Sequence, residues 1–301
     1  MDVRHLRLLR DLRDHGGVVA AAEATFRTPS AVSQQLRTAE RDLGVRLAEP
    51  AGRGIRLTEA ALLLAEAAEQ VEVALADVQG RLDDFLGRAT GTVRVAALAS
   101  AAEYLLPPVL ADLEQTGIRV ALEDVDVSEA DFATLARDAD LVIGHSLSGE
   151  VPRGAEGLHR TVLAREPLDV ALPAGHRLAR GRRALKAAQL VHERWVAVPP
   201  GYPFGTVLDR VRRQTGAELE VVQQVRDNRL VEALVTAGVG IAVLPRYTTR
   251  RRPGLTLRPL ADVDAERWVV GMSRPDRARR AVVRELVERL ARVGDEVRRR
   301  G

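Results

Sequence analysis

Cysteine is absent from this 301-residue chain, which excludes disulfide scaffolds, thiol nucleophiles and zinc ribbons. Lysine is almost absent too: Lys186 stands alone among 45 basic residues, which face 42 acidic ones. Aromatics are scarce, with 2 Trp, 3 Tyr and 4 Phe. No stretch reaches 18 uncharged apolar residues, so no spanning helix and no membrane partner is expected. The first 17 residues are too charged for a signal peptide, and a soluble, cytoplasmic protein is expected. A net charge of +3 does not by itself announce a nucleic-acid binder.

What is present is ordinary globular material, 46% apolar and 29% charged, and the length suits two or more domains. Four textures follow one another. Residues 1–57 hold short helical patterns broken by Gly and Pro, and residues 58–88 form one long helical run. Residues 91 to about 270 alternate short Val-rich runs with helical ones, and a charged helix closes the chain over 276–300. Strands are expected at 92–98, 118–125, 140–144, 168–172, 194–198, 240–244 and 268–272. Helices are expected between them at 103–115, 129–138, 206–215 and 229–237. That alternation predicts βαβ units and a largely parallel sheet. The irregular stretch 146–157 suggests two sheets, with the late strand returning to one of them. The fold class is thus α/β with an all-α N-terminal part.

In the long run, Leu57, Ala61, Leu64, Ala68, Val71, Leu75, Val78, Leu82 and Phe85 step alternately by four and three. This 3.5-residue spacing keeps one apolar seam toward a partner helix. Leu64, Val71, Leu75, Val78 and Leu82 are therefore the expected dimerisation residues.

The first sixty residues carry the most specific pattern. A helix over 3–15 is followed by Gly16-Gly17 and a short Ala-rich helix over 18–25. Thr28 then caps a third helix with Pro29 at its first position, where the missing N–H costs nothing. This helix buries Val32, Leu36, Ala39 and Leu43 and exposes Ser30, Ser33, Gln34, Arg37 and Arg41. Gly44 stops it. Two short helices about a tight turn, with polar donors opening the second, match a helix-turn-helix. Side chains there reach phosphates and base edges. Two short strands around a Gly-rich turn, strands near 45–47 and 55–57, then make a wing. Its Arg53 and Arg56 suit a DNA backbone or minor groove. The expected DNA-binding set is Thr28, Pro29, Ser30, Ser33, Gln34, Arg37, Arg53 and Arg56.

Segments 16–22 (GGVVAAA), 28–36 (TPSAVSQQL), 40–47 (ERDLGVRL) and 52–58 (GRGIRLT) resemble the LysR-type transcriptional regulators. So do 140–143 (DLVI) and 237–245 (AGVGIAVLP) further along. Ala39, Ala48, Pro50 and Ala60-Ala61 depart from that family's usual residues. The resemblance implies a winged helix-turn-helix (1–57), a dimerising linker helix (58–88) and an effector domain (91–301). The effector domain would be two periplasmic-binding-protein-like α/β subdomains, one about 91–163 with 268–301, the other about 164–267. It further implies promoter DNA, RNA polymerase and a second copy of the chain as partners, often as a dimer of dimers. A small-molecule effector would lie in the cleft, with no cofactor.

In open α/β sheets ligands sit at the carboxyl ends of strands. Those ends hold Ser100 and Ala101, Ser128, His145, the loop with Tyr202 and Phe204, and Asn228, which form the candidate effector set. Four of them have a plainer role open: Ser100 as an N-cap, Tyr202 and Phe204 as loop packing, Asn228 as the cap of a helix starting at Arg229. No arginine pair stands out in these loops to argue for a dicarboxylate effector. The enzyme alternative is a near G-x-S-x-G at 144–149, but its last glycine is one place late and no helix follows. The histidines show no metal-site spacing. A solute-binding protein is the other alternative, and it has no use for residues 1–88.

Overall fold

The computed structural model describes residues 2–52, 54–87, 89–181, 183–250 and 252–300. Its contacts divide the chain into two units, Met1–Arg88 with Pro275–Ala281, and Ala89–Arg274 with Val282–Gly301.

The first unit opens with α1 (Val3–His15), α2 (Val18–Ala24) and α3 (Pro29–Leu43). The ends of these helices are set locally. The Asp2 carboxylate accepts the Arg4 N–H at 2.8 Å, and the Thr28 hydroxyl accepts the Ala31 N–H at 3.2 Å. Gly44 closes α3 in the left-handed region, φ 67°, a conformation that costs a residue with a Cβ. The wing is β1 (Ala48–Ala51) and β2 (Gly54–Leu57), followed by α4 (Glu59–Phe85). Thr58 caps α4 by accepting the Ala61 N–H at 3.3 Å and ties it to the wing by donating to the Arg46 carbonyl at 2.9 Å. Leu9, Leu12, Val32, Leu36 and Leu47 fill the core, with Ala61 and Ala65 of α4 closing it.

The wing sits later in the chain than the Gly and Pro pattern suggests. Glu49 and Pro50 belong to a strand, not to the turn, with Glu49 opposite Arg56 and Pro50 opposite Ile55. A two-stranded ribbon leaves each strand one free edge, so Pro50's missing N–H is tolerated. Ala48 is packed against the unit's core.

The second unit runs β3 (Gly91–Leu98), α5 (Ala99–Leu113), β4 (Ile118–Val125), α6 (Phe132–Leu135), β5 (Leu141–Ser146) and β6 (His159–Pro173). It continues through β7 (Arg194–Ala197), α7 (Gly205–Thr215), β8 (Glu220–Gln224), α8 (Asn228–Thr236), β9 (Ala242–Pro245), β10 (Leu255–Arg258) and β11 (Glu266–Ser273). The chain then passes through α9 (Pro275–Ala278), within the stretch assigned to the first unit, and ends in α10 (Ala281–Arg300). A seven-stranded sheet has the order β10-β6-β11-β5-β3-β4, with β9 also on β6, and β7-β8 form a separate pair.

The sheet is mixed, not largely parallel. β3 is parallel to β4 and β5, and β7 to β8. β11, however, inserts antiparallel between β5 and β6, and β6 is antiparallel to β9 and β10. β6 is one continuous strand whose first part pairs with β11 and whose last part pairs with β9 and β10. Its polar opening, His159-Arg160-Thr161, hides it from the apolar pattern. β8 and β10 also lay outside that pattern, and the helix expected at 129–138 is a 3-10 turn followed by the four residues of α6.

Two cores result. One joins Val93, Val95, Leu105, Ile143, Val270 and Leu286, the other Leu168, Val170, Leu190, Trp195, Leu208 and Ile241. Burying each large side chain contributes about 1.5–3 kcal/mol. α10 lies so close to β6 that a Cβ on Gly294 would fall on the Leu163 carbonyl, so only glycine fits there.

Candidate DNA interface and ligand cleft

On α3 the apolar positions Val32, Leu36 and Ala39 turn into the core, which leaves the opposite face to solvent. Thr28, Pro29, Ser30, Gln34 and Arg37 are exposed and Ser33 is half-buried. The Thr28 and Ser30 hydroxyls lie 3.0 Å apart. Gln35 faces inward and donates to the Arg4 carbonyl at 3.1 Å, fixing α3 on α1. Ser30, Gln34 and Arg37 therefore share one outward row at helical spacing. Arg56 of the wing is exposed and pairs with Glu49 at 3.0 Å, while Arg53 lies outside the described residues. Arg27 and Arg46, which flank α3 in sequence and which the motif did not single out, are also exposed.

The apolar seam of α4 divides after Ala68. Ala61 and Ala65 are buried in the first unit's core and the half-buried Leu64 packs against it, so Leu64 contributes to the fold of its own unit. Two ion pairs at 2.5 Å, Arg7–Glu72 and Arg13–Glu69, fasten α1 along the same stretch. Val71 is half-buried. Beyond it Leu75, Val78, Leu82 and Phe85 stand 44%, 63%, 47% and 87% exposed.

In the second unit a cavity of about 520 Å³ opens where β3, β4, β5 and β7 end. Ser100, His145, Tyr202, Phe204 and Asn228 line it together. Ala101 is buried in the first of the two cores instead, because it sits on the inner face of α5. Ser128 lines a neighbouring cavity of about 470 Å³, and its hydroxyl is spent on Asp131 at 2.6 Å.

The plainer roles can now be assigned. α5 starts at Ala99 after Leu98, with no side-chain cap, so Ser100 sits inside the first turn and is not its N-cap. For α8 the cap is Asp227, whose carboxylate accepts the Leu230 N–H at 2.8 Å. Asn228 is already helical, which leaves its side chain to the cleft.

Beneath the cleft lies a group invisible to sequence patterns. The Arg267 and Glu166 side chains are fully buried, with Arg267 Nε and Nη2 donating to Glu166 Oε2 at 2.8 and 2.5 Å. The other carboxylate oxygen accepts the Tyr247 N–H at 2.7 Å. Arg267 Nη1 donates to the Ser100 hydroxyl at 2.8 Å and faces His145 Nδ1 at 3.3 Å. The guanidinium also lies 5.4 Å from the centre of the Phe204 ring. Only pairing across the sheet brings these residues together, since 101 positions separate the two charges. Burial, and then the Arg267 charge, hold His145 neutral, well below the ordinary histidine range. Its ring meets Phe132 and Phe204 edge-on, at 5.8 and 5.6 Å between centroids.

The rim carries four arginines, Arg226, Arg229, Arg250 and Arg252, which corrects the absence of an arginine pair expected from the loops. Arg250 and Arg252 come from the segment after β9, remote in sequence from the other strand ends. Arg226 donates to the Tyr202 hydroxyl at 3.0 Å and lies 3.6 Å from Asp126. No helix follows the near G-x-S-x-G, where the Ser146 and Ser148 hydroxyls bond each other at 2.9 Å. Among the described residues no acidic or histidine cluster could hold a metal, and no helix is long and apolar enough to cross a membrane.

Two family models match the chain. "Bacterial regulatory helix-turn-helix protein, lysR family" covers residues 3–62, and "LysR substrate binding domain" covers residues 86–295. The RuBisCO operon transcriptional regulator of Allochromatium vinosum is 28% identical over 269 residues, spanning 88% of this chain and 86% of its own. Among solved structures, a Corynebacterium glutamicum OxyR mutant superposes with a TM-score of 0.62 at 22% identity, covering 99% of this chain and 94% of that one. Full-length CbnR complexed with its target DNA superposes at 0.54 with 22% identity, covering 98% and 100%.

Proposed function

Because the chain belongs to the LysR family of DNA-binding transcriptional regulators, we propose that α3 reads promoter DNA through Ser30, Ser33, Gln34 and Arg37. Thr28 and Pro29 set the start of that helix, and Arg53 and Arg56 hold phosphate from the wing. Residues 1–57 serve as the DNA-binding domain, 58–88 as the dimerising linker and 91–301 as the effector domain. The exposed apolar residues Leu75, Val78 and Leu82 of α4 supply the contact with a second copy, with Val71 at its margin. The cavity lined by Ser100, His145, Tyr202, Phe204 and Asn228 receives the small-molecule effector. Effector binding shifts the arrangement of the subunits on DNA, through differential affinity for two arrangements, and so changes the recruitment of RNA polymerase. The chain works in the cytoplasm, by binding and shape change and not by turnover.

The observation that carries this proposal is the outward row on α3, polar and cationic on a helix whose other face is core. Capture of genomic fragments by the full-length protein, followed by footprinting, tests it. The Gln34→Ala and Arg37→Ala variants are expected to lose the wild-type footprint. Unchanged footprints on both variants would remove α3 from the interface. Leu75→Asp with Val78→Asp is expected to reduce the assembly size in light scattering, and an intact oligomer would reject the linker assignment.

A further inference from the structure

Resting on the assignment of the cavity as the effector site, we infer that its ligand is a small dianion, held at two points one helical turn apart along α5. The inner point is a set of neutral donors. α5 begins without a side-chain cap, so the N–H groups of its first turn meet no capping oxygen. Ser100 accepts from Arg267 and keeps its own hydroxyl proton to donate. His145 is 7% exposed and lines the cavity. Its Nδ1 faces an Arg267 N–H, which places the ring proton on Nε2, a nitrogen with no partner among the described residues. Glu166 cancels the Arg267 charge. What these groups turn to the ligand is therefore N–H, O–H and N–H, which suits one carboxylate.

The outer point is already occupied by a carboxylate of the chain itself. Glu103 lies three residues beyond Ser100, about 5 Å along the same helix face. Its Oε1 is 3.2 Å from Arg250 Nη2 and 3.6 Å from Arg229 Nη2. One carboxylate thus serves two guanidinium groups, both 75% exposed, while Arg252 is matched by Glu232 at 3.5 Å and Arg226 by Asp126. Among the described residues one positive charge at this point has no ion pair of its own, with Asp124 and Asp227 elsewhere on the cavity lining. A second acidic group on a ligand seated at Ser100 and His145 reaches the same pair of arginines and displaces Glu103 or shares them with it. A monoanion satisfies the inner donors only. A cationic ligand group would have to take Asp126 from Arg226 or settle on Asp124 across the rim, so a zwitterion is the competing outcome.

Calorimetric titration and thermal shift of the full-length protein with matched probes test this: succinate, glutarate and phthalate as dianions, butyrate and benzoate as monoanions, succinamide as a neutral form and β-alanine as a zwitterion. One dianion is expected to bind about tenfold or more tightly than its monoanion, the scale of a lost charge-assisted hydrogen bond. Arg229→Gln with Arg250→Gln should erase that difference, and Glu103→Gln should tighten dianion binding severalfold by removing the internal competitor. A monoanion, neutral or zwitterionic probe binding as well as the dianions overturns the inference. So does Glu103→Gln weakening the dianion, or no saturable dianion binding at all. Binding that survives both Ser100→Ala and His145→Gln instead shows that the cavity is not the effector site. Binding lost in those two variants but indifferent to Arg229 and Arg250 defeats the dianion alone.

Discussion

On or next to α3 in sequence, Arg27, Arg37 and Arg46 are exposed and meet no carboxylate among the described residues, whereas around the cleft Arg226, Arg229, Arg250, Arg252 and Arg267 each lie within ion-pair distance of one. A guanidinium left in water costs no desolvation and is ready for an external phosphate; a matched one answers only to a ligand able to compete with its partner. The first arrangement gives general, salt-sensitive attraction. The second gives selectivity, and leaves a surplus of positive charge only where Arg229 and Arg250 share Glu103.

The largest expected effect tests the matched side. Glu166→Gln strands the fully buried Arg267 charge and is expected to cost about 3–5 kcal/mol in denaturant unfolding. Replacing both residues by Met should recover most of that. Arg37→Ala, on the unmatched side, should stay within about 0.5 kcal/mol of wild type. Equal losses in Glu166→Gln and Arg37→Ala would erase the contrast.

Next in size is sequence reading. If Gln34 contacts a base edge, Gln34→Ala should change preference among operator variants by about 1–3 kcal/mol, measured by competition binding; a uniform loss across variants would assign it to the backbone.

The third effect concerns pH. His145 is held below its ordinary value of 6.5 by burial and by Arg267. The unfolded chain therefore takes up the proton first, so this contribution to stability is complete above about pH 6.5 and is lost as pH falls. The expected slope is at most about 1.4 kcal/mol per pH unit, and His145→Gln should flatten it. A slope unchanged in His145→Gln would place the lost stability elsewhere.

The smallest effect separates two arginines of the same unit. Arg37→Ala should lower the salt dependence of DNA binding by about 0.9 in log K against log salt. Arg56→Ala should lower it by less, because Glu49 already answers that charge.

Features decided by neighbours in the chain were legible before any fold was known. Thr28 with Pro29 starts α3, and Gly16 and Gly44 end α1 and α3, because a cap is a contact between residues a few positions apart. Ser100, His145, Tyr202 and Phe204 could be placed at strand ends for the same local reason. The first wing strand shifted by a few residues because cross-strand pairing of Glu49 with Arg56, not the Gly and Pro content, sets its ends. Non-local pairings stayed hidden. Nothing near Glu166 announces Arg267, and nothing near Arg250 announces Glu103 on a helix 147 positions earlier. The α4 seam was visible as a period, but the period does not say that α1 covers its first half.

β6 contributes side chains to both cores of the second unit, and the chain crosses back between Val263 and Val269, at the start of β11, where Arg267 lies opposite Glu166. These two crossings are the covalent links between the two cores, so a relative rotation of the cores would have the buried ion pair at its pivot. Contacts at the pivot barely lengthen during such a rotation, while those spanning the cleft mouth, Glu103 to Arg229 and Arg250, change most. The pivot thus fixes where a ligand has mechanical leverage: at the mouth, one lever arm from the axis, and not at the deeper and stronger pair.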